Sequence, residues 1–322
     1  MVWAARQVFG VEPIEIETGH TPLSWRASLA CRDSLLLVPV LEILRTLSLA
    51  SRRGDPTARE HLGWSIRESG REDAEHTVLL IPGALASAIF YDDLLAEPTM
   101  ADASIRCFAT TTPGFGRTPA PADVSVEAYA RQAGALARDL ACDAVVGHSN
   151  GANVALEMVV AGEFSGPVVL LSPSFSREDE SKFPRALDRL SGVFGHFPYS
   201  LMLKIIGPAM KSGLPPQRRD VLIAELRNND PRFLRRHTRS YLEYLDRHGS
   251  LARRLCDSGA RAWVVFGEHD DVGLTDDERA VLQECPGATL VTIPDTGHFA
   301  LNQKPAQIAE IVLGALSGTS RG

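Results

Sequence analysis

Cysteine is sparse in this chain. Five residues, Cys31, Cys107, Cys142, Cys256 and Cys285, are scattered over 322 positions, the count is odd, and no C-x-x-C pair occurs. That usage predicts neither a disulfide framework nor a structural zinc site, and it suits a reducing cytoplasmic compartment. The first twenty residues lack a basic segment followed by an apolar one, so no standard signal peptide is expected. Strong charge of either sign is also missing: the formal net charge is −7 and 23% of residues are charged. Neither value points to a nucleic-acid partner or to disorder. No G-x-G-x-x-G fingerprint follows a strand, and no metal-ligand spacing is present, so no cofactor or metal ion is expected. Internal repeats and low-complexity tracts are absent from the sequence.

Long apolar runs are lacking too. The longest, "SLLLVPVLEILRTLSLA" at 34–50, contains Pro39, Glu42 and Arg45 and is shorter than a membrane span. It reads as a helix packed on the core or at a subunit contact. The alternative is peripheral membrane contact, or a late secretion signal ending near Ala50. Residues 1–60 form an N-terminal extension, partly helical, in which "EPIEIET" could be an edge strand.

What is abundant is apolar residue, 44% of the chain, arranged in short runs. The candidate strands are 61–69, 76–82, 104–110, 143–148, 166–172, 261–267 and 288–294. Several, such as "HTVLLIP" and "DAVVGH", are continuous rather than alternating, as in strands buried on both faces of a parallel sheet. Helical patterns lie between them. In 125–140, Val126, Ala130, Ala133, Ala137 and Leu140 recur at three- and four-residue steps behind Ser125 as N-cap. In 305–316, Pro305 suits the first helical position, and Ile308, Ile311, Val312 and Leu316 form a stripe. The alternation predicts an α/β fold, a mostly parallel central sheet with helices on both faces.

The alternation stops over 175–255, which holds helical patterns and no strong strand. We read it as a helical cap inserted into a core made of 61–174 and 256–322. The cap holds 16 Lys+Arg against 9 Asp+Glu, out of 33 and 40 in the whole chain. Most of these charges suit a solvated face; the alternative is an entrance that attracts an anionic substrate.

The segment "VVGHSNGANVAL", 145–156, sets Ser149 between a strand and a helix, bracketed by Gly147 and Gly151. A sharp turn there would lift the hydroxyl above the sheet edge, and the two glycines would let strand and helix backbones approach. The helix starting at Asn150 would aim free N–H groups at a reacting carbonyl. An inert serine in a tight turn is the plainer alternative.

A serine hydroxyl needs a base, and the base needs an orienting acid. His298, in "IPDTGHFALNQKP", follows the strand 288–294. Asp270, in "VVFGEHDDVGL", follows the strand 261–267, with Asp271 and Glu268 as neighbours. Strand C-termini share one sheet edge, so Ser149, the acid and His298 should converge there. Asp271 could instead cap the next turn. Glu178, Asp179 and Glu180, after the strand 166–172, are a lesser source of the acid. His148 reads as packing and His269 as a neighbour of the acid.

Taken together, "LLIPGALAS", "TPGFGRTPAP", "VVGHSNGANVAL", "VVFGEHDDV" and "DTGHFA" resemble the α/β-hydrolase fold family over about 61–318, in that family's order. The resemblance implies a Ser149–Asp270–His298 triad and an oxyanion hole. One donor would be the N–H of Asn150. The other would be that of Ala84, or less favourably Leu85, since Pro82-Gly83 stands where the family usually has His-Gly. Thr111 departs from a frequent aspartate at a position that is usually structural. A serine rather than an aspartate nucleophile implies acyl chemistry on a small-molecule ester or thioester. C–C bond cleavage, acyl transfer and slow-turnover ligand reception by the same fold are the alternatives.

Overall fold

The computed structural model describes residues 59–102, 104–210 and 213–317. Expectations for "EPIEIET", the run 34–50, Cys31 and the extension before 59 lie outside the described residues.

Eight strands form one sheet in the order β1-β2-β4-β3-β5-β6-β7-β8. They are β1 Arg59–His61, β2 Trp64–Gly70, β3 His76–Ile81, β4 Ile105–Thr111, β5 Ala144–His148, β6 Val168–Leu171, β7 Ala262–Gly267 and β8 Ala288–Ile293. β1 and β2 pair antiparallel, as do β2 and β4, and the remaining six strands run parallel. β5 and β6 are buried at every position and β3 at all but its first. That is why they read as unbroken apolar runs.

The expected strand 61–69 is a correction. It is two strands folded into a hairpin, with His61 opposite Trp64. Leu62 (φ 51°) and Gly63 (φ 83°) form the turn. Positive φ at both central positions matches the turn's twist to that of the flanking strands.

The helices are α1 Asp92–Leu95, α2 Pro98–Asp102, α3 Val126–Asp139, α4 Asn150–Val160, α5 Lys182–Phe194, α6 Phe197–Met210, α7 Arg219–Arg227, α8 Pro231–Arg247, α9 Leu251–Asp257, α10 Asp276–Glu284, α11 Ala300–Gln303 and α12 Pro305–Leu316. Ser125 caps α3 by accepting from the Ala128 N–H, and Pro305 opens α12. One core face holds Leu79, Val145 and Leu170 with Ala133 and Leu136 of α3 and Leu156 of α4. The other holds Val78, Leu80, Val146 and Val169 with Ile308 and Val312 of α12. Alternate residues of each central strand thus feed opposite layers. Five helices, α5 to α9, lie between β6 and β7.

The cysteine expectation is also corrected. Cys256 and Cys285 form a disulfide, with Cα atoms 5.5 Å apart. They lie 29 residues apart in sequence. Packing of α9 on α10 brings the end of one helix to the C-terminus of the other, a proximity that sequence spacing does not announce. Cysteine usage therefore gives no argument for a reducing compartment. Among the described residues no helix is long and apolar enough to cross a membrane.

Candidate active site

The chain leaves β3, runs outward to β4, and returns past β3 to β5. The C-terminal ends of β3 and β5 are therefore neighbours at the point where strand order reverses, the usual ligand crevice of an open α/β sheet. Ser149 follows β5 directly, with φ 53° and ψ −122°. A non-glycine residue rarely adopts positive φ, and such strain persists only where the surroundings fix it. Here they do. The Ser149 N–H donates to the Leu171 carbonyl at 2.7 Å, while its own carbonyl accepts from Ala152 and Asn153 of α4.

Three glycines permit the tight crossing. A Cβ on Gly147 would lie 2.7 Å from the Ala152 Cα, and one on Gly151 would lie 2.5 Å from the Pro82 carbonyl oxygen. A Cβ on Gly83 would meet the Ser149 Cβ at 3.1 Å. The loop after β3 therefore rests directly against Ser149. Within it the Ala86 N–H turns back to the Gly83 carbonyl, and Asn229 holds the Leu85 carbonyl. Leu85 has φ 70°. The Ala84 and Leu85 N–H groups take no partner among the described residues.

Asp270 and His298 leave the same rim, after β7 and β8. His298 Nδ1 donates to Asp270 Oδ1 at 2.9 Å. Asp270 also accepts from the Ser172 hydroxyl and, at 3.0 Å, from the Val272 N–H. Its side chain is 1% exposed. Burial alone would raise its pKa, but the bond and charge of His298 and the other donors outweigh that, and the carboxyl is held below its usual range. For His298 burial disfavours the cation, yet the bond to Asp270 and its charge, with Asp271 and Glu180 nearby, raise its pKa above the ordinary 6.5. With Nδ1–H committed to Asp270, the free lone pair of the neutral ring is on Nε2. Ser149 is half-buried, and its hydroxyl makes no hydrogen bond among the described residues. It is thus free to engage a substrate and Nε2 together.

His148 is more than packing. Its Nε2–H donates to the His298 carbonyl at 2.8 Å, and the two rings lie 5.0 Å apart. Burial pushes its pKa down to about 3, so it stays neutral. It ties the residue before Ser149 to the backbone of the candidate base.

The other carboxylates do not hold the His298 ring, although Asp271 keeps a carboxylate oxygen within 4.8 Å of an Asp270 oxygen and a His298 ring nitrogen. Asp271 is exposed, and the turn it was expected to cap is closed by Asp270 instead. Glu268 accepts from the Asp295 N–H. With His269 and Asp295 it brings ligand-type atoms within 4.8 Å of one another, all exposed. His269 lies at the surface, and its backbone N–H donates to the Thr296 carbonyl rather than to Asp270. Asp179 accepts from Phe175, Ser176 and Thr275 N–H groups, and Glu180 from Ser174 and Tyr241. Glu178 donates its N–H to the Ser176 hydroxyl. Ser172 was not foreseen; its one signal is a serine at the C-terminal end of a strand, here with φ 54°.

The model of the alpha/beta hydrolase family matches residues 78–311. The chain belongs to that family. Membership makes it a hydrolase, and the eight-stranded, mostly parallel sheet is the family's fold. Similar solved structures include an esterase from Exiguobacterium antarcticum, at 15% identity over 79% of this chain and 96% of that one, with a TM-score of 0.64. A hydrolase from Oleispira antarctica gives 16%, 79%, 94% and 0.64. A thermophilic esterase from Thermogutta terrifontis, with malate bound, gives 16%, 79%, 93% and 0.59. At such identities the likeness concerns the fold. No curated protein matches the chain.

Proposed function

We propose that the chain is a serine hydrolase that cleaves a carboxylic ester or thioester of a small molecule through an acyl-enzyme. The observation that carries this reading is the Asp270–His298 hydrogen bond on the same rim as the left-handed Ser149 elbow. His298 Nε2 takes the proton as Ser149 Oγ attacks the carbonyl carbon. The proton then passes to the leaving alcohol or thiol, and the acyl group stays on Oγ. Water, deprotonated by the same nitrogen, attacks the acyl carbon and frees Ser149. Asp270 stays ionised throughout, fixing the ring and stabilising the imidazolium. The N–H groups of Asn150, at the open end of α4, and Ala84, in the loop against Ser149, would hold the oxyanion. We read 175–255, containing α5 to α8 and the start of α9, as a cap whose Asn229 braces the oxyanion loop.

Fluorophosphonate labelling followed by peptide mapping tests the reading. A mark on Ser149, with turnover of short p-nitrophenyl esters abolished in Ser149→Ala, is expected. Labelling elsewhere, or full turnover in that variant, would remove the mechanism.

A further inference from the structure

Seven of the nine exposed large apolar side chains among the described residues fall between 183 and 205. On α5 (Lys182–Phe194) they are Phe183, Leu190, Val193 and Phe194, with Val193 78% and Phe194 60% exposed. The steps 183, 190 and 194 place Phe183, Leu190 and Phe194 on one stripe. On α6 (Phe197–Met210) the steps of four between Phe197, Leu201 and Ile205 make a second stripe, with Phe197 64% exposed. The inner sides are apolar as well: Leu187 of α5 and Met202, Leu203 and Ile206 of α6 are buried in the core. A helix apolar on both sides is ordinarily covered on both, and α5 and α6 pack against each other, so their stripes share one surface.

The charge around this surface has one sign. Lys182, Arg185 and Arg189 on α5 and Lys204 on α6 form no ion pair among the described residues. Asp188, the acid of α5, is occupied by Arg239 at 3.3 Å, and α6 contains no acid. Aromatic and aliphatic side chains flanked by unpaired cations are the composition of a helix lying in a headgroup–acyl boundary. A second copy of the same face would bring cations against cations, which disfavours symmetric self-association.

We propose that α5 and α6 are a docking face for an anionic lipid bilayer. The Phe, Leu, Val and Ile side chains enter the acyl boundary, and the four cations sit among headgroup phosphates. None of these side chains belongs to the proposed triad, so this holds whether or not the ester-cleaving reading does.

Flotation of the full chain with phosphatidylcholine vesicles, with and without phosphatidylglycerol, is the test. The wild type is expected to float with the anionic vesicles and to be released by salt. Phe194→Glu/Phe197→Glu should abolish flotation, and Arg189→Gln/Lys204→Gln should weaken it by about fivefold for each cation removed. Both pairs change exposed positions, so melting temperatures should match the wild type. Three results overturn the proposal: no flotation of the wild type, flotation indifferent to both double substitutions, or a dimer in sedimentation that Phe194→Glu/Phe197→Glu dissolves without any vesicle binding. The last would assign the face to a second copy.

Discussion

Gly151→Ala is the sharpest test of how the nucleophile turn is built. The substitution ordinarily stabilises a helix, by about 1 kcal/mol in an open position. In α4 (Asn150–Val160) the added Cβ would lie 2.5 Å from the Pro82 carbonyl oxygen and nearer still to that of Ile81, where real contacts stay above 3.0 Å. Both obstacles are backbone, and no rotamer relieves them. The end of β3 or the start of α4 must move by roughly half an ångström or more. Overpacking of this kind costs about 1–3 kcal/mol, and a rigid obstacle belongs at the upper end. After the helix gain, a net loss of about 2 kcal/mol remains, or a fall in melting temperature of about 4–8 °C for a domain of this size. The displaced segment is also the loop resting on Ser149, so fluorophosphonate labelling should slow by about a hundredfold, the usual cost of a misplacement on the order of 1 Å. Gly314→Ala is the control. It lies in helix Pro305–Leu316 with nothing within 4 Å of its Cβ, and should gain about 0.5–1 kcal/mol without touching labelling. Equal melting and labelling in wild type and Gly151→Ala would refute the close-approach reasoning.

Asp270→Asn should lower kcat on the order of 10⁴-fold through loss of the ring's tautomer and of imidazolium stabilisation. Catalysis needs neutral His298, so kcat/KM of the wild type should fall as pH drops through a midpoint above 6.5; in the variant burial is left to act and any residual activity should lose its acid limb at lower pH. Cys256→Ser opens a loop of 29 residues and should cost about 3.5 kcal/mol, read as a melting shift that reductant reproduces in the wild type; a reductant-insensitive wild type would refute it. Asp179 is raised to about 7 by burial and by its neighbour Glu278. The folded state thus keeps a proton that the unfolded chain loses near its ordinary value of 3.8. Stability should fall as pH rises between the two values and stay low above about 7. Glu278→Gln can still accept from Thr275 and cap its helix, so it should flatten the fall in melting temperature between pH 5 and 8; parallel curves would count against the pairing.

The parallel strands were legible because burial on both faces leaves no polar position to interrupt them, as in β5 and β6. The elbow was legible because strand, glycine bracket and helix all pointed one way. The hairpin at 62–63 was not: "HLGWSIRES" keeps an alternating pattern straight through the turn, and the break rests on Leu62 taking a φ that the side-chain pattern does not encode. Asp270 and Asp271 are equivalent as letters, and only the third dimension buries the side chain of one and exposes the other residue. The disulfide and the Ser172 bond join segments 29 and 98 residues apart, beyond the reach of any local period.

The acids that follow β6 show how sequence proximity to a rim can mislead. Glu178, Asp179 and Glu180 lie at the correct end of a strand, yet Asp179 serves the backbone. It accepts from Phe175 and Ser176 on its own loop and from Thr275 on the loop after β7, while its carbonyl accepts from Gly273. Those bonds tie the two loops together a few residues beyond Ser172 and Asp270, which are themselves bonded. The donors Ser172, Val272 and His298 occupy both oxygens of Asp270, so rotating the carboxylate would break three bonds at once. A buried acid held that way keeps its charge and its orientation, and the imidazole inherits the orientation through Nδ1. The aim of His298 is therefore set by two loops bound to each other, and loosening either one should cost activity without any change in the three residues that carry the proposed chemistry.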